Sequence, residues 1–347
     1  MKKIAFIDVP FHKKTKSCNF FLDILYDTYW EKNVDIFYDD FYMGWTVDTK
    51  YLDIKEKYDI YIFWVIMPSA KIIKKLKGKN IIYVPMYDDF HPYYWYWKYL
   101  QITNVRCISF CKEVHDFVYD RMWINSLYVQ YYSNDLPYKI DYIGKKIYRR
   151  YRGDISWRMV QNILWNQYID KLTIKNIPDP WYKKLNLNND DIKKYNISFI
   201  DTFFPTHEEH YRSLYESNIF ITSRSREGIW MSFLDALSGG MCIVWYNQPT
   251  MNEYIIDNKD WMLTEFKNEI DLSKYKELWF AAKKRYETWH KKRQIYKKDI
   301  IQFVDTDNIS WWYSMGSFFL SWFFFYLWKY TTYLVRKIIL MRRKYFD

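Results

Sequence analysis

The run from Ser225 to Trp245, SREGIWMSFLDALSGGMCIVW, holds two acids eight positions apart, Glu227 and Asp235. A strand-like segment ends before them and a helix-like segment carries the second. A helix starting just after Glu227 would offer free backbone N–H groups and the positive end of its dipole. Such a start accepts an anion, and a diphosphate would fit it. Gly228 would let ligand and backbone approach closely. Asp235, two helical turns on, falls on the face of Glu227. The two carboxylates could then hold hydroxyls at both ends of a nucleotide sugar, one on the sugar ring and one on the ribose. Acid pairs at this spacing also occur on solvated helix faces, so the surroundings must decide.

Other chemistry is poorly represented. Neither a Gly-x-Gly-x-x-Gly nor a Gly-x-x-x-x-Gly-Lys-Ser/Thr run is present, which argues against a dehydrogenase or a P-loop enzyme. Cys18, Cys107, Cys111 and Cys242 are scattered, and the Cys107/Cys111 pair lacks a second pair, so no zinc site is expected. Sparse thiols fit a reducing compartment. Asp305-Thr306-Asp307 has the form of a metal-binding Asp-x-Asp, but it follows a basic helical region and not a strand, and we discount it. The net charge of +11 suits anionic partners. Nucleic acid is not expected among them, because the aromatic residues are not interleaved with the basic ones. Aromatic residues make up 22% of the chain, suggesting either sugar- or membrane-facing surface or a bias in composition.

The elements that would position Glu227 and Asp235 alternate. KKIAFIDV reads as a buried strand; it is too short, and too soon broken by Pro10, for a signal peptide. SCNFFLDILYDTYW reads as helix, VDIFY and DIYIFWVIM as strands, and SAKIIKKLKG as a helix with a Ser cap and a Gly stop. NIIYVPM and RCISF follow as strands and KEVHDFVYDRM as helix. The pattern falters near residue 140 and restarts with strand KKIYRRYR, helix DISWRMVQNILWNQYI and strands KLTIKN and NISFID. THEEHYRSLYESN, IFITSR, GIWMSFLDALSGG and MCIVWY complete a second series. Alternation of this kind implies two α/β domains with parallel sheets, 1–143 and 144–300, with a cleft at the carboxyl ends of their strands. A helical tail, 301–347, would follow.

The stretch from Asn196 to Ile255 resembles the C-terminal domain of retaining GT-B-fold glycosyltransferases of family 4. Ser223, Arg224, Glu227, Gly228, Asp235, Ala236, Gly240 and Glu253 stand where that family's pattern asks for them. The likeness is good over about 144–260 and rests on element order before that. It implies two Rossmann-like domains, a nucleotide-diphosphate sugar as donor, same-face attack by an acceptor hydroxyl, and no metal or other cofactor. Arg152 and Arg158 in YRRYRGDISWR would grip the diphosphate. Ser223, Arg224, Gly228, Ile229, Trp230 and Asp235 would complete the donor site. Glu227 would be catalytic, with Asp88 and His91 facing it from a strand end of the first domain. Strand alternation puts one of Arg149 and Arg150 on the surface. The sequence departs from the pattern with Asp235 for Glu, Trp230 for Gly, Ser232 for Pro, and Lys13 to Ser17 in place of an N-terminal Gly-Gly loop. An inverting GT-B enzyme and a non-catalytic partner in glycan assembly are the alternatives.

Two stretches point to a membrane. Residues 308–328 carry no charge, and six basic residues follow against the single acid Asp347. Such a segment is expected to lie in, or span, an anionic bilayer at the cytoplasmic face. Lys71 to Lys79 would extend the basic face. Tyr93, Tyr94, Trp95 and Trp97 would line an acceptor site or touch the membrane, if they do not simply pack. The acceptor is then expected to be a lipid-linked or cell-surface glycan, and a homo-oligomer is possible.

Overall fold

The computed structural model describes residues 1–39, 50–92, 96–133, 139–179, 182–229, 231–254, 262–290 and 293–306. Two six-stranded, wholly parallel sheets organise the chain. The first contains β1 (Ile4–Asp8), β2 (Val34–Tyr38), β3 (Ile60–Trp64), β4 (Asn80–Val84), β5 (Val105–Ser109) and β6 (Ser126–Tyr128) in the order β2-β1-β3-β4-β5-β6. The second contains β7 (Lys146–Tyr151), β8 (Lys171–Asn176), β9 (Ile197–Ile200), β10 (Ile219–Ile221), β11 (Cys242–Tyr246) and β12 (Met262–Thr264) in the order β12-β11-β10-β7-β8-β9. The strand order of the second sheet reverses between β7 and β10. Loops leaving a sheet at such a point diverge and open a crevice.

Strands covered on both faces read as continuous apolar runs, and β1, β3 and β5 are buried throughout. Capping follows the expected chemistry: the Ser69 and Ser156 hydroxyls accept from the backbone N–H of Ile72 and Met159. Strands β6 and β12 escaped the sequence reading, since three residues show no period. The helix Lys112–Asp116 continues as a π-helical turn over Phe117–Arg121.

Much of the aromatic content is core. One cluster runs from Phe6, Phe21, Trp64 and Phe110 through Tyr132 to Tyr148, Phe220 and Trp245, so the two sheets share apolar packing. Trp97 is buried against Tyr83, Phe90 and Phe117 and lines no open surface, because its ring fills the space beneath β4 and its indole N–H donates to the His91 carbonyl. Tyr93, Tyr94 and Trp95 lie outside the described residues. All four cysteines are buried and none is in a disulfide.

The helix Arg293–Asp305 returns to the first sheet. Asn80 Nδ2 and Arg106 Nη1 donate to the carbonyls of Val304 and Phe303, and Lys297 pairs with Asp27. Residues 293–300, grouped by sequence with the second domain, therefore pack on the first. The stretch 308–328 and the basic residues after it lie outside the described residues, and no described helix is long and apolar enough to cross a membrane. Lys71, Lys74, Lys75 and Lys77 are exposed, as a basic face requires.

Candidate functional site

Strand β10 stops at Ile221 and the next helix, Met231–Gly239, begins ten residues later. Glu227 and Gly228 therefore sit in a loop, and not at a strand end and a helix start as their spacing suggests. The loop is fixed from below. Thr222 Oγ1 donates to the Arg224 carbonyl at 2.9 Å, and Thr250 Oγ1 to the Glu227 carbonyl at 2.9 Å. Asp154, from the loop after β7, accepts from Ser225 N at 2.9 Å and from Ser225 Oγ at 3.2 Å. The loops flanking the switch point are thus tied to each other.

The Glu227 side chain is only 8% exposed and is held at both oxygens. Arg152 Nη1 donates to one, and Arg224 Nη1 to the other at 3.1 Å. Arg152 also gives its Nε–H to Asp179 at 3.0 Å. Arg224 lies 3.6 Å from Asp88 of the first domain and 3.9 Å from Asp179. Burial pushes the Glu227 carboxyl up; Arg152 and Arg224 oppose that shift and Asp88 adds to it. Burial pulls the Arg152 guanidinium down, but Glu227 and Asp179 outweigh it and hold the group above its usual range. Two guanidiniums thus face three carboxylates across the domain boundary.

Gly228 lets the loop approach the first domain closely. A Cβ there would lie 2.7 Å from Met86 Cβ and 3.1 Å from Asp88 Oδ1. Arg226 clamps the same region, donating to the carbonyls of Tyr87 and Phe90, both at 3.0 Å. Gly153, at φ +119°, leaves room for the Tyr182 ring. Glu253 bridges the domains elsewhere, accepting from Lys112 N at 2.7 Å and from the Tyr128 hydroxyl at 2.5 Å.

The remaining expected residues divide. Ser223 is buried next to Arg224, and its hydroxyl has no hydrogen-bond partner among the described residues. Ile229 packs against the shared core. His91 is half-buried and opposes the rise that burial and then Asp88 impose on the neighbouring Asp89 carboxyl. Arg158 is exposed on the helix Trp157–Ile163 and joins no ion pair among the described residues, because the helix turns it outward. Trp230 lies outside the described residues. Asp235 is 5% exposed and raised to about 8 by burial, and no cation among the described residues compensates it. Neither Arg149 nor Arg150 is on the surface. Arg149 is wholly buried and donates to the Ile155 carbonyl, and Arg150 is half-buried on the opposite face. Alternation separates their faces, but both faces of this sheet are covered.

Asp179 was missed: it lies three residues past β8, and no local pattern announces it. A second group, Asp8, His12 and Cys18, was also missed. These residues bring potential metal-ligand atoms within 4.8 Å of one another at the end of β1. Asp8 already accepts from Val9 N at 2.8 Å, contacts His12 Nδ1 at 2.7 Å and takes the Cys18 thiol at 3.1 Å. That triad is satisfied by its own hydrogen bonds.

Two parallel-sheet α/β units packed together form the GT-B type of fold. No protein-family model and no curated protein matches the sequence. Solved structures do. HepE of Anabaena, crystallised with UDP and glucose, superposes with a TM-score of 0.60 at 10% identity, over 88% of this chain and all of that one. Sucrose-phosphate synthase of Thermosynechococcus elongatus gives 0.56 at 10% identity, over 87% of this chain and 98% of its own. A glycosyltransferase of Rickettsia africae gives 0.54 at 11% identity, over 87% and 98%. The likeness is one of fold.

Proposed function

We infer that the protein is a glycosyltransferase acting on a nucleotide-diphosphate sugar. The observation that carries this reading is the buried Glu227 carboxylate, held between Arg152 and Arg224 at the switch point and facing Asp88 of the other domain. In sugar transfer the bond from the anomeric carbon to the diphosphate oxygen breaks while an acceptor hydroxyl attacks. Positive charge develops on the ring and negative charge on the leaving group. Fixed charges in a site that excludes water stabilise both without reorganising. Glu227 and Asp88 suit the ring and its hydroxyls. HepE has been crystallised with UDP-glucose as well as with UDP and glucose, which makes UDP-glucose the first donor to test.

The finer reading is retention of configuration without a metal. It is supported by the Glu227-Gly228 and Asp235 pattern. The acceptor would be a lipid-linked or cell-surface glycan and the protein would sit at the cytoplasmic face of the membrane. That part rests on the uncharged stretch 308–328 and its basic end. The last described helix ends against Asn80 and Lys2, a few residues from exposed Lys74, Lys75 and Lys77.

Release of nucleoside diphosphate from a panel of nucleotide sugars, by the full chain and by Glu227→Gln, tests the activity. Turnover lost in the variant supports it; a chain inert with every donor and acceptor offered is the non-catalytic partner instead. The anomeric configuration of the first product, read by NMR, separates retention from inversion. Vesicle flotation with and without residues 308–347 tests the membrane.

A further inference from the structure

Beside the acid-rich cluster stands a group of cations that pair with no acid among the described residues. Arg150 on β7 and Lys175 on β8 are register partners in adjacent parallel strands, so their side chains leave the same face of the sheet. Tyr148, two residues before Arg150, shares that face. The helix His207–Tyr215 covers it, placing the His210 ring 6.4 Å from the Tyr148 ring and 5.5 Å from that of Phe204. Lys175 is 7% exposed, and its ammonium lies 4.4 Å from the centroid of Phe204. Lys14 of the first domain reaches the neighbouring Phe203 at 4.9 Å.

Three buried atoms here have no hydrogen-bond partner among the described residues: Arg150 Nε, His210 Nδ1 and the Tyr148 hydroxyl oxygen. Among the described residues no carboxylate pairs with Arg150, Lys175 or His210. The groups repel one another instead. Burial brings Lys175 down to about 7, with Arg150 adding to the shift. Burial brings His210 to about 3, with Lys175 and Arg150 adding. Buried charge without compensation is costly, and buried polar groups are ordinarily paired. Glu227 and Asp179 of the adjoining cluster act on Arg150 at longer range, but they do not outweigh its burial, and neither acts on Lys175 or His210.

We propose that Arg150, Lys175 and His210 form a buried phosphoryl-anion pocket that takes the diphosphate of the nucleotide ligand. The assignment rests on the nucleotide-sugar reading above, and it moves the diphosphate grip from Arg152 and Arg158 to the next positions inward. Arg150 brings a planar fork and Lys175 an ammonium, both suited to charge-assisted bonds with phosphoryl oxygens. His210, as the neutral Nδ1–H tautomer, and the Tyr148 hydroxyl add donors. A diphosphate there would lie beside Glu227, where the transferred sugar must be.

Calorimetry with inorganic pyrophosphate, UDP and uridine on the full chain tests the pocket. The variants are Lys175→Met, Arg150→Met and Arg158→Met. Lys175→Met and Arg150→Met should each weaken pyrophosphate and UDP by about tenfold or more, and Arg158→Met should weaken neither. Uridine should respond to none of them. Without anions, Lys175→Met should melt higher than the parent, because an unpaired buried ammonium is gone; this also shows that the variant folds. Equal UDP affinity in the parent and both inner variants would overturn the pocket and leave the nucleotide-sugar reading standing. Failure of the parent to bind pyrophosphate while it turns over a nucleotide sugar would also overturn the pocket. Lys175-dependent pyrophosphate binding in a protein that takes no nucleotide sugar would keep the pocket and overturn the reading beneath it.

Discussion

Arg152 and Arg150 stand two residues apart at the end of one strand, and their surroundings are opposite. Arg152 donates to Glu227 and Asp179 and is held above its usual range. Arg150 is lowered to about 10, by burial first and then by Arg152 itself. One guanidinium is bonded to carboxylates; the other pairs with none among the described residues, and Glu227 and Asp179 act on it only at longer range. The comparison separates two uses of positive charge in a cleft. Cations bound to carboxylates hold those carboxylates in place, whereas cations left without them favour a ligand that brings negative charge. Asp235 repeats the lesson with the opposite sign, as an acid buried without a cation.

The contrast can be broken at four places. Arg152→Met should be the most damaging, because it leaves Glu227 and Asp179 without their shared cation. Removing one partner of a buried pair typically costs about 3–5 kcal/mol, to be read from urea unfolding. A variant as stable as the parent would show that Arg152 does not hold the acids. Glu227→Gln should lower transfer by about 10²–10³ while circular dichroism stays unchanged. Turnover equal to the parent's would remove Glu227 from the chemistry.

Asp235 yields a pH test. Burial lifts it from 3.8 to about 8. Between those values the folded protein keeps a proton that the unfolded chain has released, so stability is full below the lower value and falls as pH rises toward the upper. The parent should lose on the order of 2–3 kcal/mol more than Asp235→Asn between pH 5 and pH 7. Parallel stability curves for the two proteins would show that Asp235 has a partner. The smallest effect is expected at Gly228→Ala, where the new methyl meets Met86. Overpacking of this kind costs about 1–3 kcal/mol, and small-angle scattering should show the domains moved apart. An unchanged melting point and scattering profile would mean the contact yields freely.

What could be read from the amino-acid sequence was local in origin. Strand and helix periods, Ser caps and the Glu227-Gly228 signature depend on neighbours within a few residues, and they led to two parallel α/β units and to the loop that carries Glu227. The same reading set Glu227 at a strand end and Gly228 at the start of a helix, because nothing local says that β10 ends at Ile221. It also turned one of Arg149 and Arg150 outward, because alternation reports faces and not what covers them. Asp179 meets Arg152 across 27 positions, Asp88 meets Arg224 across the domain boundary, and Lys175 meets Arg150 only through the β7–β8 register. Those meetings belong to the tertiary structure alone. They depend on which strands pair and which helix lands on the sheet, and the free energy that chooses among such pairings is spread over the whole core.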